Sequence, residues 1–303
     1  NGGDGDDTFY SGEGAVDTID GGAGIDFVTL APLGNGSNNI NLAGMETSTG
    51  ITFANGTHIS NVERFDLTTG NGDDTLTLTA VGWGQNAFRA GNGTDTFVAN
   101  FSSSLYGVYL GQGSGGQRLV ITGPPGPPLY PEGPPTYVTA ELDFFASVEI
   151  FRITGSAFND SLYGYNFADE FHGAGGDDSL RGGAGGDTLY GDDGNDQLIG
   201  DDGNDFMYGG AGDDRFDPDL GWMQGVDYMA GGIGNDTYYI NSLEDTLVEL
   251  AGEGVDTVVA YMDYTLLDNF ENLTLGFVGT NATGNAQDNV ITGNDYANTL
   301  HGL

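Results

Sequence analysis

Apolar side chains recur through the middle of this chain with a period that suits neither a helix nor a plain strand. Between Gly155 and Asp217, the residues Leu162, Phe171, Leu180, Leu189, Leu198, Met207 and Phe216 stand nine positions apart. A helical face repeats every ~3.6 residues and a strand face every second residue. A phase of nine therefore needs a compound unit, a very short strand joined to a tight turn. The polar positions keep the same phase. Gly155, Gly164, Gly173, Gly182, Gly191, Gly200 and Gly209 open seven consecutive blocks, and Asp160, Asp169, Asp178, Asp187, Asp196, Asp205 and Asp214 stand five residues further on. Fixed short periods of this kind signal a parallel β-helix.

Each block needs its residue types for a physical reason. Glycine gives the turn access to positive φ and to close backbone approach, and leaves carbonyl oxygens free to point inward. The position-six carboxylate adds charge, and calcium takes roughly six to eight oxygens of this mixed carboxylate and carbonyl kind. The apolar residue two positions later lies on the strand face that points into the coil.

The block Gly182-Gly183-Ala184-Gly185-Gly186-Asp187-Thr188-Leu189-Tyr190 reads G-G-x-G-x-D-x-U-x throughout. This resembles the RTX (haemolysin-type) calcium-binding nonapeptide. The resemblance implies an all-β, calcium-stabilised parallel β-roll or β-solenoid, in which two nonapeptides make one coil and repeats i and i+2 stack and share a calcium. Seven blocks then give about three and a half coils, roughly 17 Å long at ~4.8 Å spacing. In the first two blocks Phe158 and Phe167 replace the position-four glycine, which weakens the calcium site beside them.

Outside this array the pattern changes. Residues 1–30 hold a shorter patch of nonapeptide coils, with Asp7 and Asp26 at position six, Phe9 and Val28 as core residues, and a ten-residue variant carrying Asp17 and Ile19. Residues 31–154 carry two inserted β-rich excursions with interspersed coils around Asp74 and Asp95. Asn55-Gly56, between Ile51-Thr52-Phe53-Ala54 and Thr57-His58-Ile59, predicts a hairpin. Alternating strands at Val62–Leu67, Val148–Ile153 and Phe270–Leu275 read as returns into the solenoid, each carrying a glutamate (Glu63, Glu149, Glu271) expected to be exposed or internally paired. Gly111–Gly116 matches G-x-G-x-x-G, but β-branched Val120-Ile121 follows where a nucleotide fingerprint requires a helix. Gly123–Pro128 and Gly133–Pro135 read as a stiff polyproline-like surface loop. The main array fills 155–240, with Pro218–Ala230 read as an irregular insertion containing Trp222 and Asp227, and regular spacing resuming at Gly231 in the block that carries Asp236. Residues 241–303 resemble the segment that follows such arrays. Asp256 keeps the ligand position there, whereas Asn289 and Asn298 replace it and predict coils with little or no calcium. Both ends read as cut from a longer array.

Composition reinforces the metal. The 303 residues carry 45 acidic side chains against six basic ones, all arginine, for a formal charge of −39. Such a polyanion repels nucleic acid and anionic membrane and resists its own compaction. Divalent cations are its natural partner. With no cysteine there is no disulfide framework and no thiolate site, and no apolar run reaches membrane-spanning length. Catalytic signatures are lacking too. The histidines are His58, His172 and His301, none in H-E-x-x-H; there is no G-x-S-x-G, and no lysine or cysteine nucleophile. Carboxylate pairs abound, but the nonapeptide spacing accounts for nearly all of them.

The expected metal ligands are Asp7, Asp17, Asp26, Asp74, Asp95, Asp169, Asp178, Asp187, Asp196, Asp205, Asp214, Asp227, Asp236 and Asp256. The expected function is a non-enzymatic, calcium-binding structural module of a secreted bacterial adhesin, surface-layer, matrix or fibre protein. By resemblance, such chains leave a calcium-poor cytosol unfolded through a type I secretion system and fold outside. Affinities near ~10⁻⁴–10⁻³ M would make folding a compartment switch. Two other readings stay open. One is end-to-end self-association. The other is a carbohydrate-binding or accessory module of a secreted enzyme, contacting polysaccharide through Trp83, Tyr106, Tyr109 and Trp222, with Tyr130 and Tyr137 as further ligand-contact candidates.

Overall fold

The computed structural model describes the chain except residues 13–16, 31–38, 43–44, 46–49, 53–56, 61, 63, 70, 79–83, 91, 103–107, 114–115, 126–136, 145–147, 218–224 and 303, and gives backbone alone for 84–86, 109–113, 116–125 and 137–144. It forms two compact units, Asn1–Ser156 and Ala157–Leu303. Every regular element among the described residues is a strand, and the fold is a parallel β-solenoid.

In the second unit the nine-residue phase becomes two stacks of short parallel strands, with consecutive blocks alternating between them. One stack holds Ser161–Tyr163, Ser179–Gly185, Gln197–Gly203, Arg215–Asp217, Thr237–Ile240, Thr257–Ala260, Asn272–Leu275 and Val290–Thr292. Its register aligns Leu162, Leu180, Leu198, Phe216, Tyr238, Val258, Leu273 and Ile291. The other holds Glu170–His172, Thr188–Asp193, Phe206–Ala211, Tyr228–Ile233 and Thr246–Val248, aligning Phe171, Leu189, Met207, Met229 and Leu247. All seven apolar residues of the main array are buried. At ~1.5–3 kcal/mol per large apolar side chain, this interior column is the main source of lateral cohesion. A further stack of Tyr264–Thr265, Asn281–Thr283 and Thr299–His301 follows.

Outward positions stack at the same pitch. His172, Tyr190 and Tyr208 lie ring on ring at 4.2 and 5.0 Å, and Arg215 sits 3.8 Å above the Tyr239 ring. Such rings cover one another's faces, leaving mainly their edges to solvent.

The first unit uses the same device less regularly. Thr8–Ser11, Phe27–Leu30, Arg64–Thr68, Gly84–Arg89 and Tyr137–Phe144 stack in parallel. Asn39–Asn41, Thr75–Leu78, Thr96–Asn100 and Ile150–Thr154 form a second stack with Ile40, Leu76, Phe97 and Phe151 in register. The three return strands enter the stacks as expected, at Arg64–Thr68, Ile150–Thr154 and Asn272–Leu275. Ile51–Thr52 pairs antiparallel with His58–Ser60; the Asn55-Gly56 turn expected between them lies outside the described residues. The G-x-G-x-x-G segment lies in another antiparallel pair, Val108–Gly113 with Gly116–Pro125, and leads into no helix.

Two local expectations need correction. The strand Gly116–Pro125 runs through Gly123-Pro124-Pro125, so the start of the proline-rich stretch is sheet, with a register shift between Thr122 and Pro125 where proline supplies no N–H. The insertion after the main array is shorter than Pro218–Ala230. Tyr228–Ile233 is a regular strand with Met229 buried, because Tyr228–Ala230 already carry the inward-outward alternation. Trp83, Tyr106, Tyr130 and Trp222 lie outside the described residues, as do the side chains of Tyr109 and Tyr137.

Candidate metal centre

Stacking turns the repeat aspartates into two columns. The backbone N–H of each donates to Oδ1 of the aspartate one coil later. In the first column Asp160 donates to Asp178 at 2.6 Å, Asp178 to Asp196 at 2.7 Å, Asp196 to Asp214 at 2.8 Å, Asp214 to Asp236 at 2.7 Å and Asp236 to Asp256 at 2.9 Å. In the second, Asp169 donates to Asp187, Asp187 to Asp205, Asp205 to Asp227 and Asp227 to Asp245, at 2.7, 2.8, 2.8 and 3.2 Å. The first unit repeats the contact from Asp7 to Asp26 and from Asp74 to Asp95, both at 2.8 Å.

Each such carboxylate thus satisfies one oxygen and keeps the other for something else. Oδ2 of Asp7, Asp95, Asp178, Asp187, Asp196, Asp214 and Asp236 is buried without a hydrogen-bond donor. Except at Asp95, whose block opens on Ala90, it points at the α-carbon of the glycine that opens its own block. A methyl on Gly173, Gly191 or Gly209 would come within 3.0 Å of both that Oδ2 and the carbonyl oxygen of the matching glycine one coil on. Position one is therefore glycine because an oxygen pair fills the space of a Cβ. Position four is glycine for another reason. Gly185, Gly194, Gly203 and Gly212 have φ of 156, 144, 146 and 133°, and a methyl on Gly203 would meet the backbone carbonyl of Gly185. Phe158 and Phe167 do not adopt positive φ, so the first two turns differ from those that follow. In the second of them Asp169 Oδ2 accepts the Tyr165 N–H at 3.2 Å.

What converges at each site is acceptor oxygen alone. An unsatisfied buried acceptor costs about 1–3 kcal/mol, more if charged, so the arrangement calls for a cation. The carboxyl titrations carry the same mark. Burial is the main cause and like-charged neighbours add to it, while the backbone N–H from the preceding coil opposes them. The result pushes Asp178 and Asp214 up to about 8, and Asp95, Asp187, Asp196, Asp236 and Asp256 up to about 6. Carboxylate and carbonyl donors without sulfur or imidazole fit a hard cation of the calcium type.

The tandem acids divide their labour. The position-five residue accepts from the following coil: Asn195 N–H donates to Asp177 Oδ1 at 3.0 Å, Asp213 to Asn195 at 2.7 Å and Asn235 to Asp213 at 2.8 Å. Asp177 and Asp178 therefore accept from opposite directions. The return-strand glutamates end the columns, as Glu149 Oε2 accepts the Asp95 N–H and Glu271 Oε2 the Asp256 N–H, each at 2.8 Å. Their carboxylates are internally paired, as expected; Glu63 lies outside the described residues.

Asparagine at position six changes the chemistry. Asn289 and Asn298 accept the N–H of Asn285 and Asn294 at 2.8 and 2.9 Å. Asn285 and Asn294 donate their amides to the carbonyls of Phe270 and Gly279 at 2.8 and 2.7 Å, supplying donors where the aspartate coils have none.

Of the other expected ligands, Asp26, Asp205, Asp227 and Asp256 are buried in the columns. Asp17 stands apart: its Oδ2 accepts from the Ser11 hydroxyl at 2.6 Å, and its N–H reaches Thr57 Oγ1 at 3.3 Å, a threonine in place of an aspartate. Asp245 is a column member that the block count missed. Its signal was Asp245-Thr246-Leu247, the D-x-U core of the repeat without the glycines.

The family model for the RTX calcium-binding nonapeptide repeat (4 copies) matches residues 1–28, 154–189, 190–221, 223–239 and 283–303. Among curated proteins, the chain is 48% identical over 65 residues to endo-1,3-1,4-beta-glycanase ExsH of Rhizobium meliloti (strain 1021), a match covering 22% of this chain and 14% of that protein. It is 41% identical over 58 residues to endo-1,3-1,4-beta-glycanase EglC of the same organism, covering 19% and 12% respectively. The matched stretches include most of the coils whose aspartates form the columns, so the chain carries copies of the RTX calcium-binding nonapeptide repeat.

Proposed function

We propose that this chain is a calcium-gated folding module of an extracellular bacterial protein, with a structural rather than catalytic role. The aspartates Asp7, Asp26, Asp74, Asp95, Asp178, Asp187, Asp196, Asp205, Asp214, Asp227, Asp236 and Asp256 are its calcium ligands, joined by backbone carbonyls, with Asp17 and Asp169 as weaker contributors. The observation that carries this reading is the file of buried Oδ2 atoms without donors, at Asp178, Asp187, Asp196, Asp214 and Asp236. Without cations these like charges oppose stacking; calcium bridges them, so binding and folding become one equilibrium. A chain of net charge −39 stays expanded at low calcium and compacts outside the cell. Sedimentation velocity in EGTA and in several millimolar calcium tests this. A slow, expanded species that becomes a compact monomer supports the module. Large calcium-dependent species support end-to-end assembly in an adhesin, surface layer or fibre. No change between the two conditions overturns the reading.

The likeness to two proteins named as glycanases favours a second reading, in which the module accompanies a carbohydrate-active partner and stabilises or retains it. The stacked His172, Tyr190 and Tyr208 do not by themselves favour direct sugar binding, because their faces are occupied by one another.

A further inference from the structure

Glu249 holds a register position that is glycine in the preceding coils of its stack. Parallel pairing places Gly173, Gly191, Gly209 and Gly231 in line, and the alignment of Ala230 with Val248 puts Glu249 next. In the earlier coils the aspartate Oδ2 meets the carbonyl of the following glycine. Above Gly231 that neighbour is different: the space of a Cβ is filled by Asp236 Oδ2, Glu249 Oε1 and the Tyr238 hydroxyl. Carboxylate oxygens of Asp236, Glu249 and Asp256 lie within 4.8 Å of one another. Glu249 is 6% exposed and Asp236 0%; each keeps a buried oxygen without a hydrogen-bond partner, Oε2 and Oδ2, and that of Asp236 shares the space above Gly231 with Glu249 Oε1. The Tyr238 hydroxyl donates to Glu249 Oε1, which fixes the glutamate in place.

We propose that Asp236, Glu249 and Asp256 form a three-carboxylate calcium site, built differently from the nonapeptide sites and tighter than they are. A buried carboxylate here takes the place of a neutral carbonyl, and charge count is what tunes oxygen-cage affinity for calcium. Position adds a role. The site sits just before Glu271 closes the column and before the asparagine coils begin, so an ion held here would pin the array to its calcium-independent end. The proposal rests on the reading that the aspartate columns take calcium, and the experiment separates the two.

The test uses the full chain, a competing chelator and native mass spectrometry. The wild type should retain one ion after the others are stripped. Glu249→Gln keeps the acceptor for Tyr238 and removes the charge; it should lose that last-retained ion, with about tenfold or greater weakening of the tightest class. Asp187→Asn should lose ions from the weaker class and keep the tightest. If Glu249→Gln retains the same last ion, the three-carboxylate site is wrong while the column reading survives. If the wild type binds no calcium, both readings fall. Should Glu249→Gln not fold, terbium decides. The first equivalent bound to wild type should luminesce through Tyr238, and Tyr238→Phe, with all three carboxylates intact, should dim it severalfold. Equal brightness would place the tightest site elsewhere.

Discussion

Replacing Asp187 with asparagine should weaken calcium binding and at the same time make the calcium-free chain easier to fold. Asp187 is fully buried, Oδ1 accepts the Asp169 N–H at 2.7 Å, and Oδ2 has no donor. An amide keeps the first contact and places N–H against carbonyl oxygen, as the asparagine pairs do in the coils of Asn289 and Asn298. The magnitude follows from the titration. Burial pushes the carboxyl from the ordinary 3.8 up to about 6, about two pK units, and at ~1.36 kcal/mol per unit the charge costs the apo fold on the order of 3 kcal/mol above pH ~6. The cost vanishes in the amide and is replaced by a lost ligand. Two titrations read the two effects. At pH 8 in EGTA, the variant should reach half-maximal far-UV circular dichroism at a lower osmolyte concentration than wild type, since excluded osmolytes favour burial. In buffer without osmolyte it should need more calcium and show a shallower transition. A variant that needs as much osmolyte as wild type, or folds at the same calcium midpoint, would refute the argument that these oxygens are cation ligands held at a cost.

Other consequences can be checked on the same material. Gly203→Ala should abolish or strongly right-shift calcium-induced folding. It puts a side chain at φ 146° and drives a methyl into the Gly185 carbonyl, and backbone strain of about 1–3 kcal/mol is the smaller part of that cost. Gly186→Ala, one residue after the position-four glycine of its block, meets only the Asn204 carbonyl at 3.3 Å and should shift the midpoint less than twofold; equal damage from both would refute the steric account. The pH dependence has a definite sign. Carboxyls raised to about 6 and 8 bind more protons in the folded chain, so they favour the calcium-free fold below pH ~4 and lose that contribution as pH rises to ~8. Circular dichroism in buffer freed of calcium by a chelating resin should therefore show more structure at pH 4 than at pH 8, while the affinity of the folded chain for calcium rises over the same interval as protons cease to compete.

The coil is legible in the order of residues alone. A nonapeptide is a local object: one turn, one short strand, one inward side chain. Its phase could be read from Leu162 to Phe216, and the structure buries every one of those residues. The return strands were legible for the same reason, since alternation over five or six residues needs no partner to be seen. Stacking decided the rest, because it joins residues eighteen or more apart. That Asp177 and Asp178 accept from opposite neighbours is invisible in a tandem acid pair, and only the register shows it. Asp245 joined a column with no glycine to announce it, since its place depends on the coil before it. Glu249 reads in sequence as one more surface acid after Leu247-Val248. Only the alignment with Gly231 turns it inward, against Asp236 and Asp256, where charge is most costly without a cation and most useful with one.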